Sequence, residues 1–402
     1  MTRAFLIVMD SVGIGGAPDA DAFFNGGTPD TGANTVLHIA QACTRGDAED
    51  GRTGPLTLQN LDSLGLGQAV ALASGEDAPG LTASPTGRWG AATELSKGKD
   101  TPSGHWELAG VPVPWDWTYL PDTVPSFPPE ITARICALAG TDGILGNCHS
   151  NGVQVIDRFG AEHLRTGKPI CYTSADSVLQ IAAHEKAFGL DRLLRLCEEL
   201  APMMHARRIG RVIARPFVGS EGRFERTSNR RDYAIAPPEP VLSNWVQDAG
   251  HAVIGIGKIG DIFSMVGIDA VHKGTDAVLM DHLAQQIDTA PDGALVFANF
   301  VEFDSLYGHR RDVSGYARAL EGFDAALAGL LPRLRPDDLL LITADHGNDP
   351  TWIGTDHTRE RVPVLVSGAG VGEIGHVDFV DVAASIAHHL GVVSKGSGRS
   401  FL

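Results

Sequence analysis

Acidic residues and histidines gather where predicted strands end. Six such side chains follow three apolar runs of the chain: Asp10, Asp304, His309, Asp345, His346 and His357. The first follows the run 4–9, the next two follow the run 294–300, and the others follow the run 339–343. Carboxylates and imidazoles bind divalent metals, and six ligands exceed the four of one tetrahedral zinc site. The set therefore predicts two neighbouring divalent ions, an arrangement that serves phosphoryl transfer.

The segment 97–110 (KGKDTPSGHWELAG) adds a candidate nucleophile. Pro102 suits the first position of a short helix, which makes Thr101 the predicted N-cap and Gly110 the terminator. The N–H groups and the dipole at a helix start stabilise an anion. A hydroxyl at this position, beside a metal that lowers its pKa, can attack phosphorus. A Thr-Pro pair alone is an ordinary helix cap, so this interpretation depends on the metal site.

The elements that must position these residues alternate between strands and helices, which indicates an α/β fold. The clearest predicted strands are 4–9, 252–256, 294–300, 339–343 and 363–367. Each is a continuous apolar run, which is typical of parallel strands buried on both faces. Ligands bind at the carboxyl ends of strands in open α/β sheets, so we expect the six side chains to meet at one edge.

Residues 118–228 are predicted to form a smaller α/β domain inserted into a core of 1–117 and 229–402. A Pro-rich stretch, 111–130, leads into it, and a loop-like stretch, 216–240, leads out. The strands predicted within it are 153–156, 169–173 and 211–214. All candidate ligands and the candidate nucleophile lie outside the insertion. We therefore expect the insertion to bind substrate and to exclude water, which would favour transfer over hydrolysis.

Composition restricts the possible partners and the compartment. The chain has 32 Lys and Arg against 49 Asp and Glu, a formal net charge of −17. Such an acidic protein lacks the electrostatic footprint for nucleic acid or an anionic membrane. Five cysteines without a CxxC pair fit a reducing compartment, and no apolar run is long enough to span a bilayer. We expect a cytoplasmic protein.

One apparent dinucleotide motif is rejected. Residues 255–260 match GxGxxG after a predicted strand, but Asp261 follows at once without a convincing apolar helix. A single match of this kind is weak. Lys258 within it is interpreted as a phosphate contact.

Six longer stretches carry a resemblance to a known family: MDSVGIGGAPDA (9–20), KGKDTPSGHWE (97–107), GKPICYTSADSVLQIAAHE (167–185), RVIARPFVG (211–219), FDSLYGHRRD (303–312) and LLLITADHGNDPTWIGTDHTRERVP (339–363). They resemble motifs of the phosphopentomutases, a family of the alkaline phosphatase superfamily, along the whole chain. The resemblance implies an alkaline-phosphatase-like core, with a mostly parallel sheet flanked by helices and an inserted cap.

The resemblance also implies roles for individual residues. Thr101 matches the phosphorylated threonine of the family. Two Mn²⁺ ions per chain are implied, and only the resemblance selects Mn²⁺, because Asp and His also accept Zn or Fe. The ligands implied for the ion that touches the phosphate are Asp10, Asp345 and His346, and those for the other ion are Asp304, His309 and His357. The implied substrate contacts are Ser174, Asp176, Arg211, Lys258 and Arg230.

The implied reaction interconverts α-D-ribose 1-phosphate and D-ribose 5-phosphate, and their 2-deoxy equivalents. It would pass through a phosphothreonine and a bisphosphate, with a sugar bisphosphate such as glucose 1,6-bisphosphate as activator. It would link nucleoside breakdown to pentose phosphate metabolism, in a monomeric enzyme.

Two alternatives stay open. A hydrolase or another mutase could share the core, such as an alkaline phosphatase or a cofactor-independent phosphoglycerate mutase, but the threonine and the motif TSADSVLQIAAHE argue against both. A non-catalytic metal-binding protein would be expected to lack one of the seven residues.

Overall fold

The computed structural model describes residues 2–174 and 176–402 and divides the chain into two compact units. The first unit comprises the chain up to Pro114 together with Pro237–Leu402, and the second is continuous from Trp115 to Ala236. The predicted insertion, 118–228, is shorter than this second unit at both ends.

The described residues form strands and helices in mixed order. The strands are β1 (Arg3–Met9), β2 (Phe24–Asn25), β3 (Thr28–Pro29), β4 (Arg88–Thr93), β5 (Leu145–His149), β6 (Ile170–Thr173), β7 (Val178–His184), β8 (Arg211–Ser220), β9 (Arg223–Arg226), β10 (Arg231–Ala234), β11 (Val253–Ile256), β12 (Ala270–His272), β13 (Leu295–Phe300), β14 (Asp338–Thr343), β15 (Val362–Ser367) and β16 (Gly372–Asp378). The α-helices are α1 (Thr35–Arg45), α2 (Gln59–Ser63), α3 (Leu66–Ser74), α4 (Thr101–Leu108), α5 (Pro129–Ala139), α6 (Gly152–Thr166), α7 (Leu190–Ala206), α8 (Leu242–Asp248), α9 (Ile259–Ile262), α10 (Asp276–Thr289), α11 (Val313–Leu330) and α12 (Phe379–Leu390). Short 3₁₀ or π turns cover Ala20–Ala22, Glu185–Gly189, Phe303–Gly308 and Leu331–Arg333.

The first unit is built on a large sheet whose described strands run in the order β12-β11-β13-β1-β14-β15-β4-β16. The pairs from β12 to β14 are all parallel, as is the pair β4–β16. All seven residues of β1, at the centre, are buried. The predicted α/β fold with a mostly parallel sheet is confirmed.

The predicted parallel direction is wrong for one strand. β15 pairs antiparallel with both β14 and β4. Its sequence, VPVLVS, is as apolar as those of the parallel strands in the same sheet, and five of its six residues are buried. Burial sets the composition of a strand, whereas direction depends on pairing with strands distant in sequence.

The second unit has its own sheet, with described order β10-β8-β7-β6-β5 and β9 paired to β8. The segment 216–240, predicted as a loop, instead supplies β9, β10 and the end of β8. β10 pairs antiparallel with β8, which extends the unit beyond residue 228. The predicted strand 153–156 is also wrong: it is the first turn of α6, where the Asn151 side chain accepts hydrogen bonds from Val153 N and Gln154 N.

A buried ion pair anchors the amino end of the central strand. Arg3, which is fully buried, donates from Nε and Nη2 to the two carboxylate oxygens of Asp338, at 2.9 and 2.6 Å. Its Nη1 donates to Ala290 O at 3.2 Å. Of the helices in the described residues, none has the length and apolarity that a membrane crossing requires.

Candidate metal centre

The candidate ligands lie at the carboxyl ends of three adjacent strands, β13, β1 and β14. Asp10 follows β1 directly, Asp345–His346 follow β14, and Asp304 lies in the π-helical turn after β13. The structure thus brings together the residues that the sequence placed at one sheet edge, within the first unit.

Two groups of side chains have metal-binding geometry, and Asp304 belongs to both. The first group is Asp304, His309 and His357, and the second is Asp10, Asp304 and His346, with the ligand atoms of each group within 4.8 Å of one another. Asp304 Oδ2 lies 3.2 Å from His309 Nε2, and Asp304 Oδ1 lies 3.3 Å from His357 Nε2. His346 Nε2 is 3.6 Å from Asp10 Oδ1.

The three histidines are held in the tautomer that a metal requires. Nδ1 of His309, His357 and His346 donates to the carbonyl oxygens of Thr355, Lys99 and Gly347, at 2.7, 2.7 and 3.1 Å respectively. With the proton on Nδ1, the lone pair of each ring lies on Nε2, which faces the carboxylates. A backbone carbonyl on the distal nitrogen is the usual support of a metal-ligating histidine.

The electrostatics of the carboxylates favour a cation. Burial raises the pKa of Asp10 well above its ordinary value, and the charges of Asp345 and Asp304 add to this effect. Asp10 Oδ1 is buried and accepts no hydrogen bond from any residue that the structure describes. Burial lowers the pKa of His346 to about 4, so its ring is neutral near pH 7. In the second group, an Asp10 oxygen without a hydrogen-bond partner among the described residues beside the neutral His346 ring fits a divalent ion. In the first group, burial lowers the pKa of His309, but the Asp304 carboxylate outweighs it and holds that pKa above its ordinary value.

Asp345 lies beside the second group, not within it. Its Oδ2 is 3.3 Å from His346 Nε2 and 3.0 Å from His105 Nδ1, while Oδ1 accepts the Ser11 N–H at 3.1 Å. Burial raises the pKa of Asp345, but the two imidazoles outweigh it and hold the pKa below its ordinary value. Its role as a ligand stays a prediction.

Two buried polar residues that the sequence analysis missed support the ligands. The Asn299 amide donates to Asp10 Oδ2 at 2.9 Å and faces His105 Nε2 at 3.2 Å. A single amide in the apolar strand LVFANF was a signal for Asn299. His105 comes four residues after Thr101, on the same helix face, and that spacing was its signal.

Thr101 lies close to the second group. Its Oγ1 is 3.4 Å from His346 Nε2. The predicted cap is wrong by one residue: Asp100 is the N-cap and accepts the Ser103 N–H, so Thr101 is the first helical residue and Pro102 the second. Gly104 lets α4 approach the ligands, because a Cβ there would lie 2.1 Å from Asp345 O.

The predicted substrate contacts divide between the units. Lys258 follows β11 in the first unit. Burial raises the pKa of Asp10 and of Asp276, and the charge of Lys258 offsets a small part of that rise. In the second unit Arg211 Nη2 pairs with Asp176 Oδ2 at 3.0 Å, and Arg230 pairs with Asp232 Oδ2 at 2.6 Å. Asp232 also lies 3.9 Å from Arg211. Ser174 follows β6 directly.

An arginine cavity in the second unit was not predicted. It has a volume of about 650 Å³ and is lined by Arg215, Pro216, Glu225, Arg226, Thr227, Ser228 and Arg230. Burial lowers the pKa of Arg215, and the charge of Arg230 acts in the same direction. The buried Tyr172 hydroxyl has no partner among the described residues, and a Cβ on Gly152 would touch both this hydroxyl and Arg226. Such an excess of donors suits an anion.

Comparison with the sequences of known proteins identifies the family of this chain. A model of the metalloenzyme superfamily matches residues 2–394. A phosphopentomutase of Chelativorans sp. (strain BNC1) is 57% identical over 409 residues, which cover 100% of this chain and 98% of that protein. A phosphopentomutase of Rhizobium meliloti (strain 1021) is 54% identical over 411 residues, with 100% of both chains covered. The resemblance inferred from the motifs is confirmed: the chain belongs to the phosphopentomutase family of metalloenzymes and is an isomerase.

Proposed function

We propose that the protein interconverts α-D-ribose 1-phosphate and D-ribose 5-phosphate, and their 2-deoxy equivalents, by transfer through Thr101. The observation that carries this proposal is the position of Thr101 Oγ1, 3.4 Å from His346 Nε2, at the start of a helix. A hydroxyl at this position has both a ligand group beside it and a helix dipole behind it.

In the proposed cycle the enzyme rests with a phosphoryl group on Thr101. The bond from phosphorus to Thr101 Oγ1 breaks as phosphorus bonds to the free sugar hydroxyl, and the proton of that hydroxyl passes to Oγ1. The resulting sugar bisphosphate turns round. The bond between its other phosphorus and the sugar oxygen then breaks as that phosphorus bonds to Oγ1, and the Oγ1 proton passes to the sugar oxygen. A sugar bisphosphate such as glucose 1,6-bisphosphate would load the enzyme initially.

Two Mn²⁺ ions are the proposed metals. His309, His357 and Asp304 would hold one, and Asp10, His346 and Asp345 the other, with Asp304 in reach of both. When bound, the ions would stabilise charge on the phosphoryl oxygens and lower the pKa of the threonine hydroxyl. The backbone carbonyls on the three Nδ1 atoms keep the Nε2 lone pairs directed at the ions.

The arginine cavity is proposed to bind a phosphate of the substrate. Arg215 and Arg226 contribute charge, and the Tyr172 hydroxyl has an unused donor. The neighbouring cluster of Asp176, Arg211 and Arg230 offers carboxylate acceptors for sugar hydroxyls together with further cations. Ser174 and Lys258 are proposed as additional contacts. We propose a cytoplasmic monomer that acts on free pentose phosphates.

A coupled assay tests the reaction. The protein is incubated with ribose 1-phosphate, Mn²⁺ and a trace of glucose 1,6-bisphosphate, and ribose 5-phosphate and inorganic phosphate are both measured. We expect isomerisation to exceed phosphate release by at least about 10²-fold, since a mutase must exclude water. Release of phosphate as the main product would contradict the proposal and favour a hydrolase.

The nucleophile is tested by Thr101→Ala, with Ser103→Ala as a control that removes a hydroxyl from the same helical turn. Intact-mass analysis should find one phosphoryl adduct on the wild type and on the control, and none on Thr101→Ala. Isomerisation should vanish only in Thr101→Ala. Near-normal turnover of that variant would rule out the phosphothreonine.

A further inference from the structure

The loop that leads into Thr101 is tied to the segment that carries His357. Two successive carbonyl oxygens of this loop accept side-chain donors: Gly98 O accepts Arg359 Nη1 at 2.5 Å, and Lys99 O accepts His357 Nδ1 at 2.7 Å. Arg359 comes two residues after His357 in the chain, and Thr101 comes two residues after Lys99. The position of the candidate nucleophile is thus linked to that of a candidate ligand through two hydrogen bonds.

All three guanidinium nitrogens of Arg359 donate hydrogen bonds, to this loop and to Asp19. Arg359 is 1% exposed, and its Nε and Nη2 donate to the two Asp19 carboxylate oxygens at 3.0 Å each. Nη1 also donates to Glu94 Oε2 at 2.5 Å, and Nη2 to Glu94 O at 2.7 Å. Glu94 and Gly98 both belong to the connection between β4 and α4, so Arg359 holds that connection at its start and near its end.

The residues next to Glu94 are held by α4 itself. The Glu107 carboxylate accepts the N–H groups of Leu95 and Ser96, both at 2.7 Å. The later part, around Gly98 and Lys99, depends on Arg359 and His357, and on the Lys99 Nζ contact with Asp30 Oδ2 at 2.9 Å. Asp30 Oδ2 in turn accepts the Arg359 N–H at 3.0 Å.

The segment around Arg359 also contacts the other ligands. Thr358 and Gly347 exchange backbone hydrogen bonds of 2.9 and 3.1 Å, and Gly347 is adjacent to His346. Glu360 and Gly16 form a further antiparallel bridge, on the loop that follows Asp10. The short segment 357–360 therefore connects the loop 94–100, which leads into Thr101, to the candidate ligands after β1 and β14.

We propose that Arg359 is a positioning residue for phosphoryl transfer, which holds the loop 94–100 so that Thr101 Oγ1 stays within reach of the metal ligands. This inference rests on the proposed role of Thr101. A displacement of about 1 Å from the reacting geometry can reduce a rate by about 10²-fold, so the loop needs such a support. Lysine cannot replace the planar fork of an arginine that serves carboxylates and carbonyls together.

The test compares Arg359→Lys with Arg3→Lys. Arg3 is also fully buried and also pairs with a carboxylate and a backbone carbonyl, but it lies at the amino end of β1, seven residues or about 23 Å from Asp10. Both variants should lose thermal stability to a similar extent. We expect kcat to fall at least about 10-fold in Arg359→Lys, with KM within about twofold and two metals bound, while Arg3→Lys keeps its kcat.

A second variant tests the same role if Arg359→Lys does not fold. Glu94→Gln leaves Arg359 in place but weakens one of its charged contacts, and it should lower kcat several-fold with the metal content unchanged. An equal loss of kcat in Arg359→Lys and Arg3→Lys would overturn the positioning role. So would the loss of a metal from Arg359→Lys, because the effect would then act through His357.

The outcomes separate this inference from the proposed function. If Thr101→Ala keeps its isomerase activity, the proposed function is wrong and the positioning role falls with it. If Thr101→Ala is inactive while Arg359→Lys matches Arg3→Lys in kcat, only the positioning role is wrong.

Discussion

Histidines of the two units make opposite use of their second ring nitrogen. In the first unit His309, His346 and His357 donate Nδ1–H to carbonyls, and Nε2 faces carboxylates. In the second unit His163 donates Nδ1–H to Lys168 O at 2.6 Å, but its Nε2 accepts the His184 N–H at 2.9 Å. Both ring nitrogens of His184 also form hydrogen bonds with the backbone. Nδ1 accepts two N–H groups, and Nε2 faces Gly219 O.

This difference shows what separates a ligand from a core histidine. Both kinds are mostly buried and both touch aromatic rings. A backbone N–H on the second nitrogen uses the lone pair that a metal would need. The remaining predictions test that distinction, from the largest expected effect to the smallest.

Removal of a ligand histidine should have the largest effect. His357→Ala should cost one metal per chain and lower kcat by at least about 10³-fold, since charge stabilisation of the transferred group is lost. Metal analysis and the coupled assay measure both quantities. His184→Ala is the matched control, and it should keep two metals. Equal metal loss in both variants would contradict the distinction.

The chemistry of the second unit should depend on its arginines. Arg226→Met removes a charged donor from the cavity, worth about 1.5–3 kcal/mol, and should raise KM for ribose 5-phosphate about 10–100-fold. Arg223→Met, in the same strand but outside the cavity lining, should leave KM nearly unchanged. Isothermal titration with the sugar phosphate provides a second reading. A normal KM in Arg226→Met would exclude the cavity as the phosphate site.

Loss of a core histidine should affect stability alone. His163→Leu leaves the His184 N–H without its acceptor, at a cost of about 1–3 kcal/mol, and should accelerate amide exchange in α6 and β7. Hydrogen–deuterium exchange of peptides from 152–184 measures this effect. Metal content and kcat per folded molecule should stay at wild-type values, and a lost metal would show that His163 is more than structural.

The smallest effect concerns pH. Burial lowers the pKa of His163 below its ordinary value, so below about pH 6.5 the unfolded chain binds a proton that the folded one does not. The stability contributed by His163 is complete above this pH and falls as pH drops towards the folded pKa, by at most about 1.4 kcal/mol per pH unit. The difference in exchange rate between wild type and His163→Gln should therefore shrink from pH 7.5 to pH 5.5. A constant difference would contradict a neutral buried ring.

Sequence reasoning predicted that Asp10, Asp304 and His346 lie at one sheet edge because each comes soon after a short apolar run. Such a run can be recognised without knowledge of the neighbouring strands. The direction of β15 was not visible, since it depends on β14 and β4, which are distant in sequence. β9 and β10 were missed because both are short and rich in charge, so they lack the apolar pattern of a strand. Arg226 lies on β9 and was missed with it.

Asn299 and His105 were missed for another reason. Neither follows a strand, and their contacts with Asp10 and with each other form when β13 and α4 pack against β1 and β14. For Asp345 the prediction of a ligand still stands. Its Oδ1 accepts a backbone N–H, whereas its buried Oδ2 lies near His346 and His105 and has no hydrogen-bond partner among the described residues.

The order of the strands constrains how the chain can fold during synthesis. β1 lies between β13 and β14, so the central strand cannot be paired on both sides until about residue 343 has emerged from the ribosome. The second unit, by contrast, is continuous from Trp115 to Ala236 and can complete its own sheet much earlier. For more than half of the translation time, Asp10 and Thr101 are therefore present without His346, which they contact in the folded protein. The arginine cavity can already be formed during that time. Nascent chains stalled before β13 should show a protease-resistant second unit and an unprotected amino-terminal segment.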